Sequence, residues 1–94
     1  MRTRRSSVFR ASSWTRLEQR LRTLDPHARG LVNRLADGEL APDATELQAL
    51  PAPRRAAVLE LAADFVTYRL RTGEQARDPA AALAWRLLAA RSQI

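Results

Sequence analysis

Three side chains stand out as candidates for catalytic chemistry, namely His27, Glu60 and Asp64. The chain has one histidine and no cysteine, so thiol nucleophiles and cysteine-ligated metal sites are excluded. Glu60 and Asp64 are four residues apart, which on a helix places both carboxylates on one face. No histidine or third acid stands at metal-ligand spacing beside them, and the three glycines form no phosphate-binding loop. We therefore interpret all three as solvated polar residues and predict a non-enzymatic protein without a metal or cofactor.

Arginine is the second source of chemistry, and it is concentrated at the start of the chain. Residues 1–24 contain seven arginines and one acid, whereas residues 25–94 contain nine arginines and nine acids. The formal net charge of +6 therefore arises in the first quarter of the sequence. Because guanidinium groups bind phosphates, this region favours nonspecific contact with nucleic acid or an anionic surface. The candidate residues are Arg2, Arg4, Arg5, Arg10, Arg16 and Arg20.

The first twelve residues are rich in arginine and serine and show no helical apolar period. This composition predicts a flexible basic arm. Two other interpretations remain open for it, a mitochondrial-type presequence and a solvated tail without a partner. The Arg4-Arg5 pair suggests a twin-arginine export signal, but no apolar stretch follows the pair, so that interpretation fails.

Large apolar side chains outside the expected core indicate partner binding. Trp85 lies off the apolar stripe of the last predicted helix, which is typical of an interface anchor. Tyr68 and Arg69 are further candidates for the same surface. Trp14 continues the stripe of the first helix, and we assign it to the core.

The elements that must position these residues are helices. Alanine, leucine and arginine, all good helix formers, make up about half of the chain. Valine and isoleucine number five, too few for a sheet. Apolar periodicity and the five prolines predict four main helices and one short one, with no segment apolar enough to span a membrane. The predicted ranges are 14–24, 26–37, 44–50, 53–72 and 79–92.

Helix ends carry recognisable signals. Asp25-Pro26 and Asp78-Pro79 each predict an acidic N-cap followed by proline at the first helical position. Ser13 is the expected N-cap of the first helix, and Asp43 with Glu46 forms a capping-box-like pair for the short one. Gly38 and Gly73 are expected to end the second and fourth helices in the left-handed conformation.

The apolar faces predict which helix is central. The fourth helix has the widest face, so we expect it to contact two neighbours. Alanines on the fourth and fifth helices predict close packing between them. The residues expected to face inward are Ala28, Leu31, Val32, Leu35 and Ala36 on the second helix, Leu47 and Leu50 on the third, and Leu83, Ala84, Leu87 and Leu88 on the fifth.

Two short motifs resemble a known family. The stretch DFVTYR at residues 64–69, followed by LLAARS at residues 87–92, resembles the acid-aromatic-x-x-Tyr-Arg and Leu-Leu-x-x-Arg-Ser succession of the Lnb-type N-terminal periplasmic domain proteins. These are large bacterial envelope proteins, and the start at residues 4–7 is also similar to theirs. The resemblance implies that this chain is a helical segment beside a larger domain, outside the part that would carry any activity.

Together these patterns predict an all-α protein, a small antiparallel bundle of four main helices plus one short helix. Residues 1–12 form the basic arm and residues 13–94 a single helical domain. The expected function is protein–protein interaction, with another protein or a second copy, and the alternative is nonspecific nucleic-acid binding. The absence of a signal peptide favours the cytoplasm, whereas the resemblance implies the envelope; the arginine- and alanine-rich composition fits a bacterial source.

Overall fold

The computed structural model describes residues 14–73 and 77–94, and in those ranges every regular element is a helix. None of the helices described is long and apolar enough to cross a membrane. The prediction of an all-α protein with five helices is confirmed. The elements are α1 (residues 14–22), α2 (Pro26–Ala36), α3 (Thr45–Gln48), α4 (Ala52–Arg71) and α5 (Arg77–Ser92).

The proline signals mark two helix starts, one of them correctly. Asp25 is the N-cap of α2 and Pro26 its first residue, as predicted. The Asp25 carboxylate makes no capping hydrogen bond, however, and accepts one from Arg54 Nη2 at 2.6 Å instead. The expected N-cap at Asp78 and start at Pro79 are wrong, because Arg77 and Asp78 are already part of α5. Proline is tolerated in the first turn since the amides there lack intrahelical acceptors. Ser13 lies outside the described residues.

Gly38 ends α2 as predicted. It has a φ of +77°, and its N–H donates to the Leu35 carbonyl at 3.1 Å. The next N–H, of Glu39, donates to the Arg34 carbonyl at 2.8 Å, which completes a Schellman motif. Gly73, which follows the end of α4, also has a φ of +77°, and its N–H donates to the Leu70 carbonyl. Both glycines therefore satisfy carbonyls that the helix leaves unpaired.

The predicted capping box of α3 is wrong. Ala44 occupies the N-cap position, α3 spans only Thr45–Gln48, and no side chain caps it. The carboxylate of Glu46 instead accepts a hydrogen bond from Arg34 Nη1 at 2.7 Å. Leu47 is fully buried, and Leu50, just after α3, is half-buried, so these two leucines and the link to α2 hold this part of the chain.

The core gathers around α4, which contacts α1, α2 and α5, and its central position is confirmed. The most extensive contact is with α5, where alanines from both helices are buried. All five residues predicted to face inward on α2 are buried. The other buried apolar residues are Leu17, Leu40, Leu47, Val58, Leu59, Leu61, Ala62, Ala63, Phe65, Val66, Ala80, Ala84 and Leu87.

The inward face of α5 differs from the prediction at one position. Ala84 and Leu87 are buried and Leu83 is half-buried, but Leu88 is 41% exposed. Ala80, two turns before Leu87 on the same side of the helix, is buried as well. The helix is therefore rotated so that its smaller residues meet α4, which allows the two axes to approach closely.

Candidate functional site

The outward face of α5 carries the most exposed of the large apolar side chains described. Trp85 is 75% exposed at its centre, and Leu88, one turn later, is 41% exposed. Residues three and four apart share a helix face, so their neighbours can be assigned from the sequence. We call this surface the Trp85 face; its members are Asp78, Ala81, Ala82, Trp85, Leu88, Ala89 and Ser92.

The composition of α5 explains why this surface is unusual. Apolar residues lie on both sides of the helix, whereas α2 separates its apolar and polar sides clearly. A helix that is apolar all round is normally covered on all sides. In the described residues α5 is covered by α4 on one side, and the one charged residue of the Trp85 face is Asp78, in the first turn of the helix. The exposed area therefore has the character of a contact surface.

Tyr68 and Arg69, the other predicted partner-binding residues, lie elsewhere and already have contacts. Tyr68 is half-buried, with its ring centroid 5.2 Å from that of Trp14. Trp14 also meets Phe65 edge-to-face at 5.7 Å, so it packs at the edge of the core and is 37% exposed. Arg69 Nη1 donates to Asp37 at 2.9 Å. The described grooves that contain Tyr68 or Arg69 include no residue of α5, so the three candidates do not form one surface.

Part of the predicted anion-binding set meets in a groove between α1 and α4. Arg16 and Arg20 line this groove together with Tyr68 and Arg71. Arg20 also donates to Asp64 at 2.7 Å, so its charge is largely balanced within the domain. Arg16 and Arg71 are exposed and make no ion pair with any described residue. Arg2, Arg4, Arg5 and Arg10 lie outside the described residues.

The residues considered for catalysis are surface groups. His27 is exposed on the first turn of α2. Glu60 accepts a hydrogen bond from Arg91 at 3.2 Å, and Asp64 accepts one from Arg20. No group of acids and histidines in the described ranges is arranged to hold a metal ion. Glu60 and Asp64 thus connect α4 to α5 and to α1.

A family model described as "Domain of unknown function (DUF7842)" matches residues 7–94. The chain belongs to this family. The matched range includes all five helices. No curated protein and no solved structure gives a significant match to the chain.

Sequence reasoning missed two features of this DUF7842 domain. The first is Leu88, which extends the Trp85 face; its position one turn after Trp85 was the available signal. The second is Arg71, which follows Tyr68 by three residues and lines the same groove. No local signal in the sequence distinguishes Arg71, since its place in that groove depends on where α1 packs.

Proposed function

We propose that this domain is a non-enzymatic helical module for protein–protein interaction, and that its contact surface is the Trp85 face. The observation that supports this is the 75% exposure of Trp85 on a helix face whose one charged residue is Asp78, two turns before it. The partner is another protein or a second copy of the domain. In either case the complementary surface is mainly apolar, because the one charge of the Trp85 face, Asp78, lies at its N-terminal end.

The energetics favour association through this residue. Burying an aromatic side chain removes about 150–250 Å² from water, more than any other residue type contributes. A tryptophan at the centre of an interface is a frequent hot spot, and its truncation costs about 2 kcal/mol or more. The alanines on both sides of Trp85 let a partner backbone approach closely, so the indole ring can be enclosed.

The proposed architecture is an antiparallel bundle of the four main helices with α3 as the short one. The pairing of Glu60, in the first half of α4, with Arg91, near the end of α5, supports opposite directions for these two helices. We propose residues 1–12 as a basic arm and residues 13–94 as the folded unit. The motifs at 64–69 and 87–92 support a place for this unit as an accessory segment of a larger bacterial protein.

Sedimentation analysis over a concentration series tests self-association. We expect Trp85→Ala to weaken association by about thirtyfold, which corresponds to the loss of one hot-spot residue. Arg86→Ala is the matched control, since Arg86 is exposed on the same helix but outside the Trp85 face. Affinity capture with the wild type, Trp85→Ala and Arg86→Ala, read by mass spectrometry, tests whether the domain binds another protein instead.

The proposal requires a difference between the two variants. An association that Trp85→Ala removes and Arg86→Ala preserves supports it. A strictly monomeric protein whose captured proteins are the same for wild type and Trp85→Ala overturns it. Circular dichroism of Trp85→Ala confirms that the fold survives, as expected for an exposed side chain.

The second candidate function is nonspecific binding of nucleic acid or an anionic surface. The convergence of Arg16 and Arg71 beside Arg20 in the α1–α4 groove supports it, because exposed guanidinium groups there extend the basic sequence that precedes α1. Tyr68 in the same groove supplies an aromatic surface for an unpaired base.

Salt-dependent binding to an unrelated duplex distinguishes this candidate. If the groove contacts phosphates, replacing Arg16 and Arg71 by glutamine reduces the slope of log K against log salt by about 0.9 for each contact removed. Arg86→Gln, with the same charge change on α5, is expected to leave the slope unchanged. Absence of duplex binding at low salt removes this candidate and leaves the interaction proposal standing.

A further inference from the structure

A second groove, between α1, α2 and α4, contains three arginines. Arg22 and Arg29 line it together with Arg69, and the rings of Trp14 and Phe65 form an apolar wall. We call it the three-arginine groove. Its remaining lining residues are Glu18, Leu21 and Asn33. None of these eight residues belongs to the Trp85 face.

Arg29 supplies the strongest indication of a ligand. Its Nε atom is buried and has no hydrogen-bond partner among the described residues. Nor does its guanidinium form an ion pair with a described acid. Leaving a buried donor unsatisfied costs about 1–3 kcal/mol, and more for a charged group, so such groups normally have an acceptor. Arg29 as a whole is half-buried and lines the groove, so an oxyanion there can accept hydrogen bonds from the part of its guanidinium that stays exposed.

The charges around the groove are not balanced within it. Glu18 is the one acid in its lining and lies 3.8 Å from Arg22, a loose and exposed ion pair. The acid that pairs with Arg69 is Asp37, at 2.9 Å, which is not part of the lining. Arg29 therefore adds a positive charge that no acid of the lining compensates, and this favours an anion.

We propose that the three-arginine groove binds an organic oxyanion, a phosphate monoester or a carboxylate attached to an aromatic ring. Arg29 binds the oxyanion with help from Arg22, and planar guanidinium groups suit both oxyanions because they donate two parallel hydrogen bonds. The aromatic ring lies against Trp14 and Phe65, where edge-to-face or offset contacts are favourable. This site is independent of the interaction proposed for α5.

Fluorescence of Trp14 provides a direct measurement. In a Trp85→Phe background Trp14 is the remaining tryptophan, and it lines the groove. Phenyl phosphate and benzoate are the two probes, and they distinguish the two oxyanions. The controls are inorganic phosphate, which is an oxyanion without an aromatic ring, and benzyl alcohol, which has the ring without an oxyanion. We expect saturable binding of at least one probe and weaker binding of both controls, with titration calorimetry as a second readout.

Substitutions then assign the contact. Arg29→Gln is expected to weaken probe binding by about tenfold to a hundredfold, the loss of charged hydrogen bonds. Arg86→Gln makes the same charge change on α5 and is expected to bind like the parent. If Arg29→Gln does not fold, Arg22→Gln decides the question, because Arg22 is exposed and the expected direction is the same.

Three results would overturn the proposal. The first is no saturable binding of either probe. The second is equal weakening by the Arg29 and Arg86 substitutions, which indicates attraction by overall charge. The third is binding of inorganic phosphate as tight as that of phenyl phosphate, which shows that Trp14 and Phe65 add nothing.

Discussion

Leu87 and Leu88 are chemically identical neighbours on α5 with opposite surroundings. Leu87 is fully buried against α4, whereas Leu88 is 41% exposed on the Trp85 face. We expect Leu87→Ala to lower the free energy of unfolding by about 2–5 kcal/mol, because it leaves a cavity in the core. Leu88→Ala is expected to change it by less than about 0.5 kcal/mol, as for other surface substitutions. Urea denaturation of both variants followed by circular dichroism measures the difference.

Comparing the two leucine variants tests which side of α5 faces α4. Each variant is the control for the other. Equal destabilisation would mean that both leucines are buried, as the sequence pattern first suggested. In that case the exposed area around Trp85 would be smaller and the interaction proposal would lose its apolar surroundings. At low protein concentration the comparison reports on the monomer, so association does not contribute to it.

Two glycines, one inside α2 and one just after its end, are expected to respond to substitution by alanine in opposite ways. Gly30 is in the middle of α2 with helical geometry, and a Cβ there would contact nothing within 4 Å. Gly30→Ala is expected to stabilise the fold by about 0.5–1 kcal/mol, because alanine loses less backbone entropy. Gly38→Ala is expected to destabilise it by about 1–2 kcal/mol, since a φ of +77° is unfavourable for an L-residue. Thermal denaturation of the two variants measures whether each substitution raises or lowers the stability of the fold.

A stabilising Gly38→Ala substitution would contradict the assigned Schellman motif at the end of α2. A destabilising Gly30→Ala substitution would instead show that another molecule or segment approaches α2 closely at that point. Because Gly30 lies one residue after Arg29, such a result would also bear on how accessible the three-arginine groove is.

The helices also show where sequence reasoning succeeded and why it failed elsewhere. In α2 the apolar residues recur on one side only, so all five buried residues could be predicted. In α5 alanine and leucine occur on both sides, and periodicity alone does not decide which side meets α4. The Trp85 face could be anticipated from Trp85 itself. The pairing of Glu46 with Arg34 could not, because it depends on where α3 packs.

In the part of the chain that the structure describes, many charges of the helical body pair with a charge on another element. Among the described residues six ion pairs connect groups distant in sequence, and all of their side chains are partly exposed. Each exposed pair contributes about 0–1 kcal/mol, so the pairs orient neighbouring helices more than they stabilise them. The pairs are Arg20–Asp64, Arg20–Glu60, Arg34–Glu46, Arg54–Asp25, Arg69–Asp37 and Arg91–Glu60.

Removal of residues 1–12 tests whether this basic segment contributes to duplex binding without contributing to the stability of the fold. This segment contains four arginines and no acid, and the buried core residues described lie between Leu17 and Leu87. We expect the truncated protein to unfold with a free energy within about 0.5 kcal/mol of the full chain, and to lose most of its affinity for a duplex at low salt. Thermal denaturation and a mobility-shift titration measure the two effects.

A full-length variant with the four arginines replaced by serine is the control, because it removes the charge and keeps the chain. A lower unfolding temperature for the truncated protein alone would show that these residues belong to the folded domain, and unchanged duplex affinity in both proteins would place the phosphate contacts on the helices.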